Sequence, residues 1–379
     1  MGKVFVRKRV AIVADWLTSR GGAEHVVQSL SQAFPKADIF TSVFEKKNFP
    51  LLDVRNVNTS FLQKFSKRHQ FLLPFFPKAF ESFDLSSYDL IISSSSSGYS
   101  KCVKKTRKDQ IHVCYCHTPI RYLYHAKDEY LKEYPLPWFA KPAKLILPAL
   151  LKWLQKKDQA AAQQVDYFLS NSDFVGKRIY EYYHKKASTI YPGVETFPFQ
   201  QAREKYFQKK DYFFALGRFI PYKKFDLLIQ TFSKNKLPLL LGGEGPEWER
   251  CKKMAIDLHA SNIEFFGFVE GARLPRLFAE ARAFIFPAEE DFGLTPVEAM
   301  SAGTPVIYLG RGGALESVNK DCGISFLEQT PQSLQQGIDQ FLEREHQFDR
   351  QKIMDHGQSF DERFFREKMI HFCEEIYKS

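Results

Sequence analysis

Two glutamates with seven residues between them, Glu290 and Glu298, are the side chains in this chain best spaced to do chemistry. They lie in Phe286-Pro-Ala-Glu-Glu-Asp-Phe-Gly-Leu-Thr-Pro-Val-Glu298, which continues through Ala-Met-Ser-Ala-Gly303 into Thr-Pro-Val-Ile307. The pattern reads as a buried strand, a tight acidic loop, a helix start, a small-residue helix end and a second buried strand. A carboxylate in the loop and another in the first helical turn flank a helix N-terminus, whose free amides favour a phosphate. That arrangement suits a ligand with a phosphate at one end and hydroxyls at the other, such as a nucleoside diphosphate sugar. The same residues have a plainer use. Thr295-Pro-Val-Glu298 matches a capping box, with Thr295 at the N-cap, Pro296 at the first helical position and Glu298 at the third. Glu289-Glu290-Asp291 also sets three like charges beside Phe286 and Phe292; solvent accommodates one or two, and burial requires a cation or hydroxyl for each.

Cationic and glycine-rich loops recur after other expected strands. Gly217-Arg218-Phe-Ile-Pro-Tyr-Lys223-Lys224 follows Tyr212–Leu216, so Arg218 can clamp a diphosphate bidentately and Lys223 as a point charge; the alternative is a solvated turn. Gly21-Gly22-Ala-Glu24 opens a helix after the first strand, where paired glycines let a ligand approach the backbone or simply make a tight helix start. The full G-x-G-x-x-G pattern is absent, which disfavours a nicotinamide cofactor. Gly242-Gly243-Glu-Gly245-Pro246 reads as a phosphate or base loop, although glycine turns of this kind are common. Phe265-Phe-Gly267-Phe268-Val269 can hold a flat base or pack a core. His117-Thr-Pro119 ends a strand where a ligand sits in open sheets, or is a histidine bonded to backbone at a proline turn.

Those loops need a scaffold of alternating strands and helices. Strands are expected at Val10–Ala14, Asp38–Phe44, Leu90–Ser93, Ile111–Cys116, Tyr167–Ser170 and Thr189–Tyr191. Helices are expected at Ala23–Phe34, Lys144–Gln164 and Phe174–Tyr183. The second half repeats the scheme, with strands at Tyr212–Leu216, Pro238–Leu241, Ile263–Phe266, Ala283–Phe286 and Val306–Leu309 and helices near 224–233, 247–259, 274–281 and 296–302. Such alternation means parallel sheets with helices on both faces. At 379 residues the chain suffices for two domains. The linker falls at Tyr191-Pro-Gly-Val-Glu-Thr-Phe-Pro198, giving domains at 1–195 and 196–359, with a helix in 360–379 packing back on the first. Ser93–Ser97, five serines in a row, reads as a turn and helix cap. Two such domains facing each other would bring the strand-end loops to one cleft.

The formal net charge of +10 is unevenly shared. Residues 1–190 hold 30 Lys+Arg against 16 Asp+Glu, a balance of +14, and residues 191–379 hold 24 against 28, a balance of −4. Basic residues of the first half sit among aromatics in Phe61–Lys78 and Trp138–Trp153, a composition that fits an anionic membrane interface or a solvated basic face. No nucleic-acid motif appears. No apolar run reaches the roughly 18 residues of a membrane span. Six cysteines without a CxxC pair or secretory signal indicate a reduced, cytosolic setting. No metal motif is present, so Arg218 and Lys223 are expected to do the work that a divalent ion does elsewhere.

Taken together, these motifs resemble the GT-B glycosyltransferases of family 4, the retaining class that uses nucleotide sugars. The resemblance runs through Gly21-Gly-Ala-Glu, His117-Thr-Pro, Ser170-Asn-Ser172, Tyr191-Pro-Gly-Val194, Gly217-Arg-Phe-Ile-Pro-Tyr-Lys223, Gly243-Glu-Gly-Pro246 and Gly267-Phe-Val269, and is strongest at Glu290-x7-Glu298. It implies two Rossmann-like domains facing across a cleft. It also implies that Arg218 and Lys223 bind the donor diphosphate, Glu290 the sugar hydroxyls and Glu298 the ribose. The amides of Gly293, Leu294 and Thr295 would meet phosphate, and His117 would sit beside the anomeric centre. Gly21 and Gly22 would border the diphosphate, and Gly217, Gly243, Gly245, Phe268, Val269 and Phe292 complete the donor-binding set. No cofactor or metal is implied. Cys114-Tyr-Cys-His-Thr-Pro-Ile-Arg-Tyr122 resembles mannosyltransferases of bacterial surface-polysaccharide assembly. That implies GDP-mannose, a lipid-linked or oligosaccharide acceptor, and a place on the inner face of the cell membrane. A GT-B epimerase or phosphorylase, or a silent nucleotide-sugar-binding protein, is the alternative.

Overall fold

A computed structural model describes residues 8–19, 21–50, 52, 56–97, 99–125, 143–206 and 208–378, with backbone alone at 67–71 and 143–146. Most of the first half of the basic stretch Trp138–Trp153 therefore lies outside the described residues. The chain divides into two compact units, Met1–Tyr191 with Phe365–Ser379, and Pro192–Phe364. The boundaries differ from 195/196 and 359/360 for a physical reason. Val194 donates its N–H to the Phe360 carbonyl at 2.9 Å and accepts from Glu362 N–H at 3.0 Å, and Thr196 Oγ1 donates to Asp361 Oδ2 at 2.6 Å. The segments around 194 and 361 are thus strapped together inside the second unit.

The first unit is built on seven parallel strands: β1 (Val10–Ala14), β2 (Asp38–Thr41), β3 (Val57–Thr59), β4 (Leu90–Ser95), β5 (Ile111–Cys116), β6 (Tyr167–Ser170) and β7 (Ala187–Thr189). Their order is β3-β2-β1-β4-β5-β6-β7. All five residues of β1 are buried, as a strand covered on both faces requires. Val10, Ile12 and Ala14 join a cluster with Val26, Val27 and Leu30 of helix α1 (Gly22–Ala33). Ala11 and Val13 point the other way, toward Phe76 and Phe80 of α2 (Phe76–Glu81) and Leu151 and Leu154 of α3 (Ala143–Gln164). Ser172 caps α4 (Asp173–Tyr183) by accepting from Val175 N–H at 3.1 Å. Phe365, Met369 and Cys373 of the C-terminal helix Glu362–Glu375 enter the same cluster as α1. The serine run corrects the expectation of a cap: Ser93, Ser94 and Ser95 extend β4, and only Ser96 and Ser97 turn. Their small side chains fit a strand buried on both faces, and Ser93 Oγ and Ser94 Oγ each lie 2.8 Å from a histidine ring nitrogen, of His112 and His117.

The second unit has six parallel strands in the order β10-β9-β8-β11-β12-β13. They are β8 (Phe213–Leu216), β9 (Leu239–Gly242), β10 (Ile263–Gly267), β11 (Ala283–Phe286), β12 (Val306–Leu309) and β13 (Gly323–Phe326). Helices α5 (Phe197–Lys205), α6 (Phe225–Asn235), α7 (Trp248–Asp257), α8 (Arg273–Glu280), α9 (Leu294–Ser301), α10 (Ala314–Ser317), α11 (Pro331–Arg344) and α12 (Arg350–Gln358) accompany them. Phe213 and Ala215 face one core with Leu228, Phe232, Leu334 and Phe341. Phe214 faces the other, edge-on to Phe278 of α8 at 5.2 Å between ring centroids. In both sheets the strand order reverses between the strand first in sequence and a later neighbour, β1 beside β4 and β8 beside β11. The carboxyl side of such a reversal is where open parallel sheets bind ligands. Among the described residues no helix is long and apolar enough to cross a membrane, and the six cysteines are buried and form no disulfide.

Candidate functional site

The reversal in the second unit brings together residues far apart in sequence. Arg218 follows β8 and the loop bearing Glu290 follows β11, and these strands are hydrogen-bonded neighbours. Lys223 ends a short 3-10 turn, Pro221–Lys223, just before α6. Its Nζ donates to Glu290 Oε1, and both side chains are only 16% exposed. The ammonium also lies 5.8 Å from the Phe286 ring centroid. Lys223 and Glu290, read separately as a phosphate ligand and a sugar ligand, are therefore each other's partner. Arg218 is exposed and makes no ion pair among the described residues, so it is the cation available beside that pair.

Helix α9 starts two residues earlier than the capping-box pattern implies. Gly293, at φ 87°, occupies the cap position and no side chain caps the helix. Thr295 is thus inside the helix, and Glu298 falls in its second turn, beyond capping reach. The chain turns at Gly293 because a Cβ there would lie 3.0 Å from Cζ of Phe286; left-handed backbone with that crowding admits only glycine. The first-turn amides, including those of Leu294 and Thr295, lack intrahelical acceptors. Glu298 has no hydrogen-bond partner among the described residues, and burial alone pushes its carboxyl up to about 7. An uncapped helix start, a bonded Lys–Glu pair, an exposed arginine and an unpartnered carboxyl therefore share one edge of the sheet.

The glycine loops are explained first by packing. A Cβ on Gly243, at φ 119°, would sit 1.9 Å from the Gly217 carbonyl oxygen, and one on Gly245 would sit 2.4 Å from that of Phe219. Gly217, Gly243 and Gly245 let the loops after β8 and β9 touch backbone to backbone, with Gly217 N–H on Gly242 O at 3.1 Å and Phe219 N–H on Glu244 O at 2.9 Å. Phe292 is a correction: it is buried and packs on Phe360 at 5.9 Å, so it supports the acidic loop from behind. Val269 is likewise buried, whereas Phe268 stands 66% exposed at the end of β10, open to a planar ligand. Sequence reasoning missed Gly312-Gly313. A Cβ on either would lie within 2.5 Å of the backbone of Glu290 or Asp291, and Gly313 N–H donates to the Glu290 carbonyl at 2.8 Å. A glycine pair in the loop between a buried strand and the next helix, as at Gly21-Gly22, was the available signal.

The first unit has its own cluster at the reversal. His117 is buried at the end of β5, with Nε2 2.8 Å from Ser94 Oγ and its N–H on the Ser95 carbonyl at 2.8 Å. Gly21 and Gly22 open α1, with Gly21 at the cap position. Asp15, also missed, directly follows β1 and accepts from the N–H groups of Ser96 at 2.6 Å, Ser97 at 2.8 Å and Ser100 at 2.8 Å, fixing the serine turn. Asp15, Trp16, Glu24, Ser94 and Ser96 line a small cavity. Glu24 folds back over Gly21; burial, opposed by its own amide and reinforced by Asp15, pushes it up to about 7. Among the described residues no three His, Cys, Asp or Glu side chains gather as a metal site.

Comparison with known proteins matches both halves. The model described as Glycosyltransferase Family 4 matches residues 20–196, and that described as Glycosyl transferases group 1 matches residues 196–358. The chain is 24% identical over 222 residues to the uncharacterized glycosyltransferase MJ1178 of Methanocaldococcus jannaschii, covering 58% of this chain and 61% of that protein. It is 32% identical over 132 residues to the O-antigen chain mannosyltransferase RfbU of Salmonella typhimurium, covering 32% and 35%. In each case the match spans less than two thirds of the relative's length. A solved structure of Anabaena Alr3699/HepE in complex with UDP is similar in fold, with a TM-score of 0.68 at 16% identity over 97% of this chain and 100% of that one.

Proposed function

We propose, from a chain built of a family 4 glycosyltransferase domain followed by a group 1 domain, that this protein is a retaining, metal-independent glycosyltransferase that moves a hexose from a nucleotide sugar to a lipid-linked or oligosaccharide acceptor. Mannose from GDP-mannose is the favoured donor, supported by the likeness to a mannosyltransferase. The observation that carries the site is Glu298: a partly buried carboxyl with no partner, beside an uncapped helix start and the Lys223–Glu290 pair.

Arg218 and Lys223 take the diphosphate, and the first-turn amides of Gly293, Leu294 and Thr295 take one of its phosphates. Glu290 accepts from sugar hydroxyls, Glu298 from the ribose, and the exposed face of Phe268 stacks the base. His117, in the first unit, is assigned to the reacting sugar. In the step itself the bond from the anomeric carbon to the diphosphate oxygen breaks. The acceptor oxygen bonds that carbon on the same face, and the departing phosphate oxygen takes the acceptor's proton. The chain's contribution is charge: each fixed donor aimed at the leaving group is worth about 3 kcal/mol. Peripheral attachment to an anionic membrane is part of the proposal, supported by exposed Phe61, Phe65, Phe75 and Trp153 in basic stretches of the first unit.

The test is a thermal-shift panel of GDP, UDP and their sugars, followed by nucleotide release with lipid-linked acceptors. Stabilisation by GDP over UDP, with GDP release only when acceptor is present, supports the proposal. Stabilisation by no nucleotide refutes it.

A further inference from the structure

At the other, amino-terminal edge of the second unit's sheet, four cations gather around two carboxylates. Lys209 leads into β8, Arg282 immediately precedes β11, Arg203 lies near the end of α5, and Arg350 opens α12. A Cβ on Gly303 would lie 3.4 Å from Arg350 Cβ and 3.6 Å from Arg203 Cδ, so these two side chains flank one glycine. Lys209 Nζ donates to the Arg282 carbonyl at 3.0 Å. Glu345 is shared by Arg282 at 2.6 Å and Lys209 at 3.7 Å, and exposed Asp211 takes another arm of Arg282 at 2.9 Å. The nearby Glu280 is occupied by Lys210 and Arg276, both at 3.0 Å.

Arg350 carries the main anomaly. Its Nη2 reaches the carbonyls of Ala279 at 3.3 Å and Ala281 at 3.4 Å, but its Nε and Nη1 are buried without an acceptor among the described residues. Burial first, and then the charge of Arg350, push Lys209 down to about 8 against the pull of Glu345. Burial and then the charge of Arg203 disfavour charged Arg350 in the same way. Crowded cations withdrawn from water are costly unless an anion joins them, and unused guanidinium donors form their strongest bonds with oxyanions.

We propose that Arg203, Lys209 and Arg350 form a binding site for a small oxyanion of the phosphate class. The site is distinct from the one at Arg218 and Glu290. Both sites lie against β8 and β11, but at opposite ends of these parallel strands, and four residues at about 3.3 Å each separate them by roughly 13 Å before the loops are counted. The occupant would also brace α9 from its far end. Helix α12 starts at Arg350 and packs on α9, where a Cβ on Gly357 would meet Ser301 N at 2.5 Å.

The test uses the full chain with inorganic phosphate against chloride at matched ionic strength, read by calorimetry and melting temperature. It is run in wild type and in an Arg218→Ala/Lys223→Ala background, which removes the other phosphate ligands. The expected result is saturable phosphate binding that survives in that background and weakens at least about tenfold with Arg350→Gln. Arg203→Gln gives the same loss and serves if Arg350→Gln does not fold. A parallel titration with glycerol phosphate assigns the source, since tighter binding than the bare ion marks a phosphate ester. Absence of saturable binding, or equal binding by wild type and both variants, overturns the proposal. So does a cluster in which Lys209→Met raises the melting temperature in chloride and phosphate adds nothing in any variant.

Discussion

Replacing Glu290 with glutamine should tighten nucleoside diphosphate binding while impairing turnover. In the ligand-free chain Lys223 is already bound to Glu290. A diphosphate that recruits Lys223 must therefore draw it from that carboxylate. The pair is mostly shielded and rests against Phe286. At an effective dielectric constant near 20, two unit charges about 4 Å apart attract by about 4 kcal/mol. Desolvation and side-chain ordering reduce the net to about 1–2 kcal/mol. That net is subtracted from the affinity of any ligand that takes Lys223 alone. Glu290→Gln removes the competition, so the Kd for GDP should fall by about 5- to 30-fold. Turnover should fall by about 10²- to 10³-fold, because the charged contact to the sugar is lost. Lys223→Met should weaken GDP instead. Calorimetry with GDP and UDP gives the affinities, and nucleotide release gives turnover. If Glu290→Gln weakens GDP as much as Lys223→Met does, Glu290 holds Lys223 in its binding position and the competition argument is wrong.

Three further outcomes follow from the same geometry. Burial pushes the Glu298 carboxyl from its ordinary 4.5 up to about 7, so its burial is harmless below about pH 4.5, penalises the fold progressively up to pH 7 and stays constant above. Glu298→Gln should raise stability at pH 8 by up to about 3 kcal/mol, with the gain vanishing near pH 4.5, measured by denaturant titration across pH. Gly243→Ala should cost at least about 3 kcal/mol, because its Cβ would overlap the Gly217 carbonyl, whereas Gly271→Ala, at φ 61° with open space around it, should cost about 1 kcal/mol. Thermal melts of the two variants separate crowding from strain alone. In the first unit, Lys101 and Asp158 form a wholly buried ion pair at 2.5 Å, with Tyr124 and Tyr183 donating to the other carboxylate oxygen at 2.9 and 2.7 Å. Lys101→Met should cost about 3–5 kcal/mol by leaving that carboxylate alone, and adding Asp158→Asn should recover most of it; equal stability of the single and double variants would contradict this.

What the sequence made legible was what local pattern determines. Apolar runs such as Val10–Ala14 and Ala283–Phe286 announce strands covered on both faces, and their alternation with amphipathic segments fixes the parallel architecture. The short edge strands Val57–Thr59 and Gly323–Phe326 were not legible, since three or four residues with polar or glycine members carry little signal. At the site, residue types were readable but partnerships were not. Thr295 looked like a cap because it follows the usual pattern, but Phe286, nine residues earlier, forces the turn at Gly293. Gly243 and Gly245 looked like ligand loops because glycine gives the same letter whether a phosphate or another backbone approaches. Phe292 looked exposed to ligand because nothing in the sequence reveals Phe360 behind it. The pairing of Lys223 with Glu290 spans 67 residues and depends on β8 and β11 being neighbours.

That pairing changes how specificity at the site is to be understood. A rigid frame of glycine contacts holds the acidic loop, with Gly312 and Gly313 against its backbone on one side and Phe292 packed beneath it. The frame leaves side chains rather than backbone to respond to ligand. When a diphosphate takes Lys223, Glu290 loses its counter-charge in a partly buried setting, a loss that only new hydrogen-bond donors can offset. Hydroxyls of the donor sugar would be such donors at Glu290, whereas a bare nucleoside diphosphate has hydroxyls only on the ribose, which is assigned to Glu298. Under the proposed function, release of Lys223 and capture of the sugar would then be one exchange. On the proposed assignment, the carboxylate would discriminate intact donor from spent nucleotide without contacting the diphosphate, and product would leave more readily as Lys223 returned to Glu290 once the sugar had gone.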